Sequence, residues 1–226
     1  MKIRYETLLP VYHLIWRHWR ERRREHFRIR MNPDPAEVVL DVGGCPSEWT
    51  GRGAVVGTVD LINLEISTII QRPDSPVMRS FKGDGRALEF EDGSYDIVYS
   101  NSVLEHVGTW EDQQAFAREA RRVGGNLWIQ TPAYGCPVEP HYLGLFIHWF
   151  PAHWHVPLAR WTSVVGLTGA ADLHSIANNT RLLTKREFKE LFPDCEIWTE
   201  RLFLIFPKSY VAIRTGSKNS THLTNP

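Results

Sequence analysis

Glu139 and His141 stand two residues apart in Pro137-Val138-Glu139-Pro140-His141-Tyr142. A hydroxyl nucleophile needs a base, most often His, Asp or Glu. Glu139 and His141 are therefore candidate general bases, with Tyr142 as an orienter. His106, in Val103-Leu104-Glu105-His106, is a third candidate. The alternative is that Glu139 and His141 brace a loop through hydrogen bonds. His148, His153, His155 and His174 raise the question of a metal. Their spacing matches no closed zinc pattern, and no cysteine pair assists them, so no metal is expected. The three cysteines, Cys45, Cys136 and Cys195, are odd in number and form no CxxC pair. Reduced thiols, and hence an intracellular, cytoplasmic protein, are the expectation.

The elements that must position these groups follow from the apolar pattern. Val38-Val39-Leu40 ends at Asp41 and opens into Gly43-Gly44. Further short apolar runs are Val55 to Leu64, Val77 to Phe81, Tyr95 to Tyr99 and Asn126 to Gln130. Glu111 to Val123 reads as a helix with Phe116, Ala120 and Val123 on one face. Thr184-Lys185-Arg186-Glu187 is a capping box opening a helix that ends near Phe192. Cys195 to Phe206 and Ser209 to Arg214, separated by Pro207-Lys208, read as a closing hairpin. Strands alternating with helices imply a doubly wound, Rossmann-like α/β fold. Its sheet is expected to be seven-stranded and mostly parallel, with a C-terminal antiparallel hairpin and helices on both faces.

This domain is expected over residues 36–215. Residues 132–183, dense in Pro, His, Trp and Gly with little periodicity, form a substrate lid, and 216–226 form a polar tail. Residues 1–35 stand apart. Leu8, Val11, Tyr12, Ile15, Trp16 and Trp19 recur at helical spacing among Arg17, Arg20, Arg22, Arg23 and Arg24, and Pro33 and Pro35 end the pattern. Residues 6–30 read as one basic amphipathic helix. It either docks on the sheet with a solvated arginine face or makes peripheral contact with an anionic membrane. No apolar run reaches membrane-spanning length, and the N-terminus lacks a signal-peptide core. The 26 Lys and Arg balance 26 Asp and Glu, which argues against a nucleic-acid partner. Aromatics make up 12% of the chain, with nine Trp, enough that any exposed aromatic surface would need a substrate, membrane or partner to cover it.

In an open α/β sheet, ligands bind beyond the carboxyl ends of the strands, where the strand order reverses. The glycine pair after Asp41 lets a backbone approach a ligand closely. A carboxylate just after the third strand, Asp84, can accept from an adenine amino group. The segment Gly83 to Val107, GDGRALEFEDGSYDIVYSNSVLEHV, resembles the type 11 group of class I S-adenosylmethionine (SAM)-dependent methyltransferases. Members of that group carry a similar GDxxxLPFxDxSFDxVxSxxVLEH stretch. The resemblance covers roughly residues 36–215 and implies SAM as cofactor. On the matching positions, it implies that Asp41 orients the glycine loop and the SAM amino group. Gly43 and Gly44 would admit the methionine part. Asp84, with the Gly85 and Arg86 backbone, would bind adenine. Asn101 and Ser102 would line the methionine and sulfonium side. Asn63 would meet the ribose, with Glu65 and Asp60 as alternatives; Asp60 is expected mid-strand, where an unpaired charge is costly.

Two departures stand out. Cys45 and Ser47 occupy positions where glycines are usual, and Pro46 to Gly51 leaves little room for a following helix. A subgroup of small bacterial methyltransferases has a similar DVGG-xx-xxW loop, a second strand ending in Asn-Leu and a QTP…PxEPH…P pattern. The resemblance places Glu139 and His141 over the methyl group. With Glu139 and His141 available as bases and the amino-directed element missing, transfer to an oxygen of a small-molecule, glycan or lipid-linked acceptor is expected, the basic aromatic helix favouring a lipid-linked one. The alternatives are a catalytically inactive SAM-fold scaffold, motivated by the altered loop, and a non-SAM Rossmann-like enzyme. A nicotinamide enzyme lacks support because GxGxxG is absent. The (N/D/S)PP(Y/F) element of amino-directed DNA methyltransferases is absent after the fourth strand, where Ser100-Asn101-Ser102-Val103 stands instead.

Overall fold

The structure, a computed structural model, describes residues 5–50, 56–169 and 171–216, with side chains from residue 17 onward. The tail expected beyond 216 lies outside the described residues. A long helix, α1 (Tyr5–Met31), precedes β1 (Val38–Val42), β2 (Thr58–Asn63), β3 (Val77–Lys82) and β4 (Tyr95–Asn101). Then come α2 (Trp110–Val123), β5 (Gly124–Pro132) and a small hairpin, β6 (Val138–Glu139) with β7 (Gly144–Leu145). Helices α3 (Ala152–Thr162), α4 (Val164–Thr168), α5 (Leu173–Asn178) and α6 (Lys185–Leu191) follow, and β8 (Glu196–Leu202) and β9 (Phe206–Arg214) close the chain.

The main sheet has seven strands in the order β3-β2-β1-β4-β5-β9-β8. The first five are parallel, and β9 and β8 are antiparallel. The central strands are buried on both faces, which is why VVL, VDLI and YDIVYS read as nearly unbroken apolar runs. The order reverses between β1 and β4. Their carboxyl ends are in register, with Asp41 beside both Leu61 and Tyr99, and Asn101 beside Gln130. One rim therefore carries Asp41, Asn63, Asn101 and Gln130.

One face of the sheet packs Leu40, Val98 and Leu127 against Phe116 and Ala120 of α2 and Phe188 of α6. Both helices begin with the expected type of capping box, Thr109 with Asp112 and Thr184 with Glu187. The other face has no comparable crossover helix among the described residues. Among its described residues, the β1–β2 connection holds a single 3-10 turn, Pro46–Glu48. Helix α1 covers this face instead. Phe27 sits edge-on to Tyr99, Trp128 and Trp49, and His26 stacks on Trp198. From residue 17 onward, where its side chains are described, α1 packs on the sheet. Its arginines are not all solvated, because Arg23 is buried.

Two expectations need correction. The final hairpin does not turn at Pro207-Lys208. Phe203 and Leu204 both adopt positive φ and make the turn, while Pro207 lies within β9 opposite Arg201, beside an irregularity in the register. That irregularity is a place where a ladder tolerates a residue without N–H. Residues 132–183 are also more regular than their composition suggests. Short helices α3 to α5 pack Leu158, Ala159, Leu173 and Ile176 around Tyr142 and Ile147.

Candidate active site

Two cavities open at the carboxyl rim. One, of about 620 Å³, is lined by Gly43, Asn63, Asp84, Ser102, Val103 and Phe116 among others. The second, of about 340 Å³, is lined by Asp41, Gly44, Asn101, Gln130, His141 and Lys208 among others. Both share Gly43 and Ser102. A ligand lying across the glycine pair would span them.

The glycine loop is fixed from below. Asp41, 1% exposed, accepts the indole N–H of Trp49 at 2.7 Å. Trp49 in turn sits edge-on to Tyr99 and Phe27. An indole thus anchors the loop beside its short 3-10 turn. Gly43 has φ +76, and a Cβ there would lie 2.5 Å from a methyl of Val103. A Cβ on Gly44 would run into the Asp41 carboxylate. Burial drives the Asp41 carboxyl up to about 7; the Trp49 hydrogen bond opposes this, and Glu48 adds to it.

This shift has a measurable sign. The folded pKa lies above the unfolded value, so Asp41's contribution is fully present below about pH 4 and is lost as pH rises through about 7. Asp41→Asn, which keeps an acceptor for Trp49, is expected to gain on the native chain by about 2–4 kcal/mol between about pH 4 and pH 8.5. Urea unfolding of both chains at the two pH values measures this. Parallel behaviour would show that the carboxyl is not held neutral.

The other expected cofactor residues take identifiable places. Asn63 ends β2 and donates to the Gly44 carbonyl at 3.0 Å and to Ser67 at 3.3 Å. Asp60 is buried mid-strand, as expected, but it is not unpaired. Arg79 clamps it at 2.6 and 2.7 Å, and the Tyr95 hydroxyl donates at 2.9 Å. Asp60 is thus committed to the sheet, whereas exposed Glu65 lines the larger cavity beside Asn63. Asp84 is partly exposed there, and the Arg86 guanidinium holds its carboxyl below the ordinary range. The Arg86 backbone N–H donates to Asp84 itself at 2.9 Å, so it is not an open donor. Gly85 packs so closely that a Cβ would meet Val42 and Phe116. Ser102 has φ +58, with its N–H on the Gln130 carbonyl and its hydroxyl on the Gln130 amide oxygen.

The candidate catalytic residues come together at the junction. The β6–β7 hairpin places Glu139 inside, 1% exposed, where it accepts the Tyr142 backbone N–H at 2.6 Å and His141 Nδ1 at 2.7 Å. His141 Nε2 lies 3.1 Å from His106 Nε2. His106 sits at the end of a 3-10 turn, Leu104–His106, not in a helix, and its Nδ1 bonds the Asn179 carbonyl at 3.0 Å. Burial pulls the His141 imidazole down, but the hydrogen bond and charge of Glu139 and the charge of Glu105 outweigh it, leaving it raised. Tyr142 orients through its backbone; its buried hydroxyl has no partner among the described residues.

The remaining histidines disperse. His148 Nε2 bonds the Tyr134 carbonyl, and His155 Nε2 the Phe150 carbonyl. Several site residues carried no signal in the sequence. Arg23 of α1 reaches Asn101 at 2.6 Å and grips Glu200 of β8 at 2.6 and 3.2 Å. Lys208 lies 3.5 Å from Glu200 and over the ring of Trp19, and burial takes its amine down to about 8, helped by Arg23 and opposed by Glu200. Glu105, fully buried, accepts the Thr131 hydroxyl at 2.9 Å. Only Trp49 could have been found, from its place in the DVGG-xx-xxW spacing.

Strand order and glycine loop resemble those of class I SAM-dependent methyltransferase domains, and comparison with known proteins points the same way. Residues 40–129 match the methyltransferase domain family model. A 113-residue stretch is 33% identical to an uncharacterized methyltransferase of Mycolicibacterium gilvum (strain PYR-GCK), covering 48% of this chain and 44% of that one. The match thus spans less than half of that relative's length. The fold is similar to a Haloferax volcanii protein solved in complex with the Trm112 methyltransferase activator, with 13% identity, TM-score 0.52 and coverage of 87% and 89%. It is also similar to the PH0226 protein of Pyrococcus horikoshii OT3, with 14% identity, TM-score 0.52 and coverage of 89% and 91%.

The residues present fit SAM. The larger cavity pairs apolar Val103 and Phe116 with the polar Asn63 and Asp84, a lining suited to a nucleoside. The glycine pair leaves open backbone where a side chain would collide, and buried Asp41 offers a carboxyl that an ammonium group would draw into its ionised form.

Proposed function

We propose that this chain transfers a methyl group from SAM to an oxygen of a small-molecule, glycan or lipid-linked acceptor. The observation that carries this reading is the shared wall. The nucleoside-sized cavity and the second cavity meet at Gly43 and Ser102, with His106 and His141 at that junction. Bound SAM supplies an electrophilic methyl group whose C–S bonding pair stays on sulfur as the new C–O bond forms. The chain's own residues must align the acceptor and exclude water, and orientation alone can contribute several kcal/mol. Asp84 and Asn63 would hold the adenosine part, and Asp41, Gly43, Gly44, Asn101 and Ser102 the methionine part. Glu139 fixes the His141 ring, and His141 with His106 activates the acceptor hydroxyl.

Basic residues Arg20, Arg23 and Lys208 line the acceptor cavity, which favours an acceptor carrying a carboxylate or phosphate. Trp154, Trp161, Phe203 and Leu204 are exposed large apolar side chains, which favours a lipid-linked one near a membrane surface. No described helix is long and apolar enough to cross a membrane. Calorimetry tests the cofactor half of the reading. The native chain should bind SAM saturably, and Asp84→Ala should weaken it more than tenfold, about 1.4 kcal/mol or more. No saturable binding would overturn the reading, and unchanged affinity in folded Asp84→Ala would remove Asp84 from the adenine site. SAM binding without transfer to any oxygen acceptor of these classes would favour the scaffold alternative.

A further inference from the structure

We propose that Glu105, His106 and His141 hold a divalent transition-metal ion at the junction of the two cavities. The argument starts from the outer nitrogens of the two rings. The Asn179 carbonyl can only accept, so His106 Nδ1 carries a proton. Both oxygens of Glu139 are engaged as acceptors, one by the Tyr142 N–H and the other by His141 Nδ1, so that nitrogen is protonated as well. In neutral rings this leaves two Nε2 lone pairs facing each other at 3.1 Å, acceptor against acceptor. Something positive must lie between or beside them.

One shared proton would satisfy the rings but not their neighbour. Glu105 is fully buried; its Oε2 accepts from Thr131, while its Oε1 has no hydrogen-bond partner. That orphaned oxygen lies 4.0 Å from His106 Nε2. All three ligand atoms lie within 4.8 Å of one another, the only such group among the described residues. A dication satisfies all three atoms at once. Ligands about 2.1 Å from a zinc ion sit roughly 3–3.4 Å apart, so Glu105 needs to close by up to about 1 Å on His106 and by less than about 2 Å on His141. Each ligand also has its outer support in place. A carbonyl and a carboxylate fix the two imidazole tautomers, and a threonine hydroxyl orients the carboxylate.

Two imidazoles and one carboxylate leave coordination positions open, the pattern of sites that activate a bound oxygen. This role deepens the methyltransferase reading and rests on it. The acceptor hydroxyl would reach the ion, become more acidic there and pass its proton to solvent water in the open acceptor cavity, its oxygen then taking the methyl group; the two imidazoles would serve as ligands in place of the histidine base expected from the sequence.

The test uses the full chain without a polyhistidine tag, stripped with chelator and titrated with Zn²⁺ by calorimetry and thermal shift. One equivalent should bind, and His106→Ala, His141→Ala and Glu105→Gln should each weaken binding at least tenfold. Co²⁺ should give visible d–d bands without a thiolate charge-transfer band, and Cys45→Ser should leave them unchanged. Native-like circular dichroism qualifies each variant, and His141→Gln replaces any that does not fold. Absence of saturable binding, a thiolate band, or Zn²⁺ affinity indifferent to all three ligand substitutions would overturn the site. SAM calorimetry on the stripped chain keeps the two readings apart. Retained SAM binding without Zn²⁺ binding sinks the ion alone, whereas loss of SAM binding sinks the methyltransferase reading.

Discussion

Arg23→Met is expected to destabilise the protein by about 3 kcal/mol. In a chain of this size that is a fall in Tm of about 6–12 °C. The guanidinium is 8% exposed and its partner Glu200 1% exposed. Removing it breaks a two-pronged pair and leaves a carboxylate inside the protein with Ser209 and Lys208 as its remaining neighbours. The loss also reaches the cofactor rim, because Arg23 is the donor to Asn101. SAM affinity should fall together with stability. Denaturant unfolding and calorimetry on the same preparation check both. A stability change below about 1 kcal/mol would mean that the pair is no better than a surface ion pair.

The second large effect is expected at Gly43. An alanine there costs about 1–2 kcal/mol for the left-handed backbone before any contact is considered. Its Cβ would also press on Val103, and both Gly43 and Val103 are walls of the larger cavity. Relief therefore has to come from the cofactor cleft itself. SAM affinity should drop by a factor of about 100 or more, roughly 2.7 kcal/mol. Gly169 provides the control. It has φ +68, but a Cβ there would meet nothing within 4 Å, and it lies outside the cleft. Gly169→Ala should lose stability by the same backbone term and leave SAM affinity unchanged. Equal affinity in both variants would show that the Gly43–Val103 contact is not part of the binding wall.

The parallel core was legible because burial on both faces writes itself into sequence as unbroken apolar runs bounded by Asp41-Val42-Gly43-Gly44, Asn63 and Gly83-Asp84. The capping box at Thr184 was legible because a cap is a local event; the one at Thr109 was not read, because its reciprocal residue is Asp112 where Glu or Gln is usual. Arg23 was not, because a buried arginine in an arginine-rich helix looks like its solvated neighbours; its partner stands 177 residues away. Glu105 was hidden for a similar reason, since its burial depends on β5 and on the strand-free segment that brings Asn179 and Arg181 alongside. The turn at Phe203-Leu204 was misplaced because neither residue is a usual positive-φ former, while Pro207 mimics a turn signal. Helices α3 to α5 were obscured by their own brevity and by Pro157 inside α3.

Because α1 covers the face where the described residues hold no crossover helix, that face of the sheet is closed by a segment made well before the last strands. The clamp between Arg23 and Glu200 cannot form until β8 has been synthesised. At about 5–20 residues per second, Phe27 and its apolar neighbours wait on the order of ten seconds or more for the last strands. Contacts of such long sequence separation are slow to find even in a released chain. Vectorial synthesis therefore gives this fold little head start.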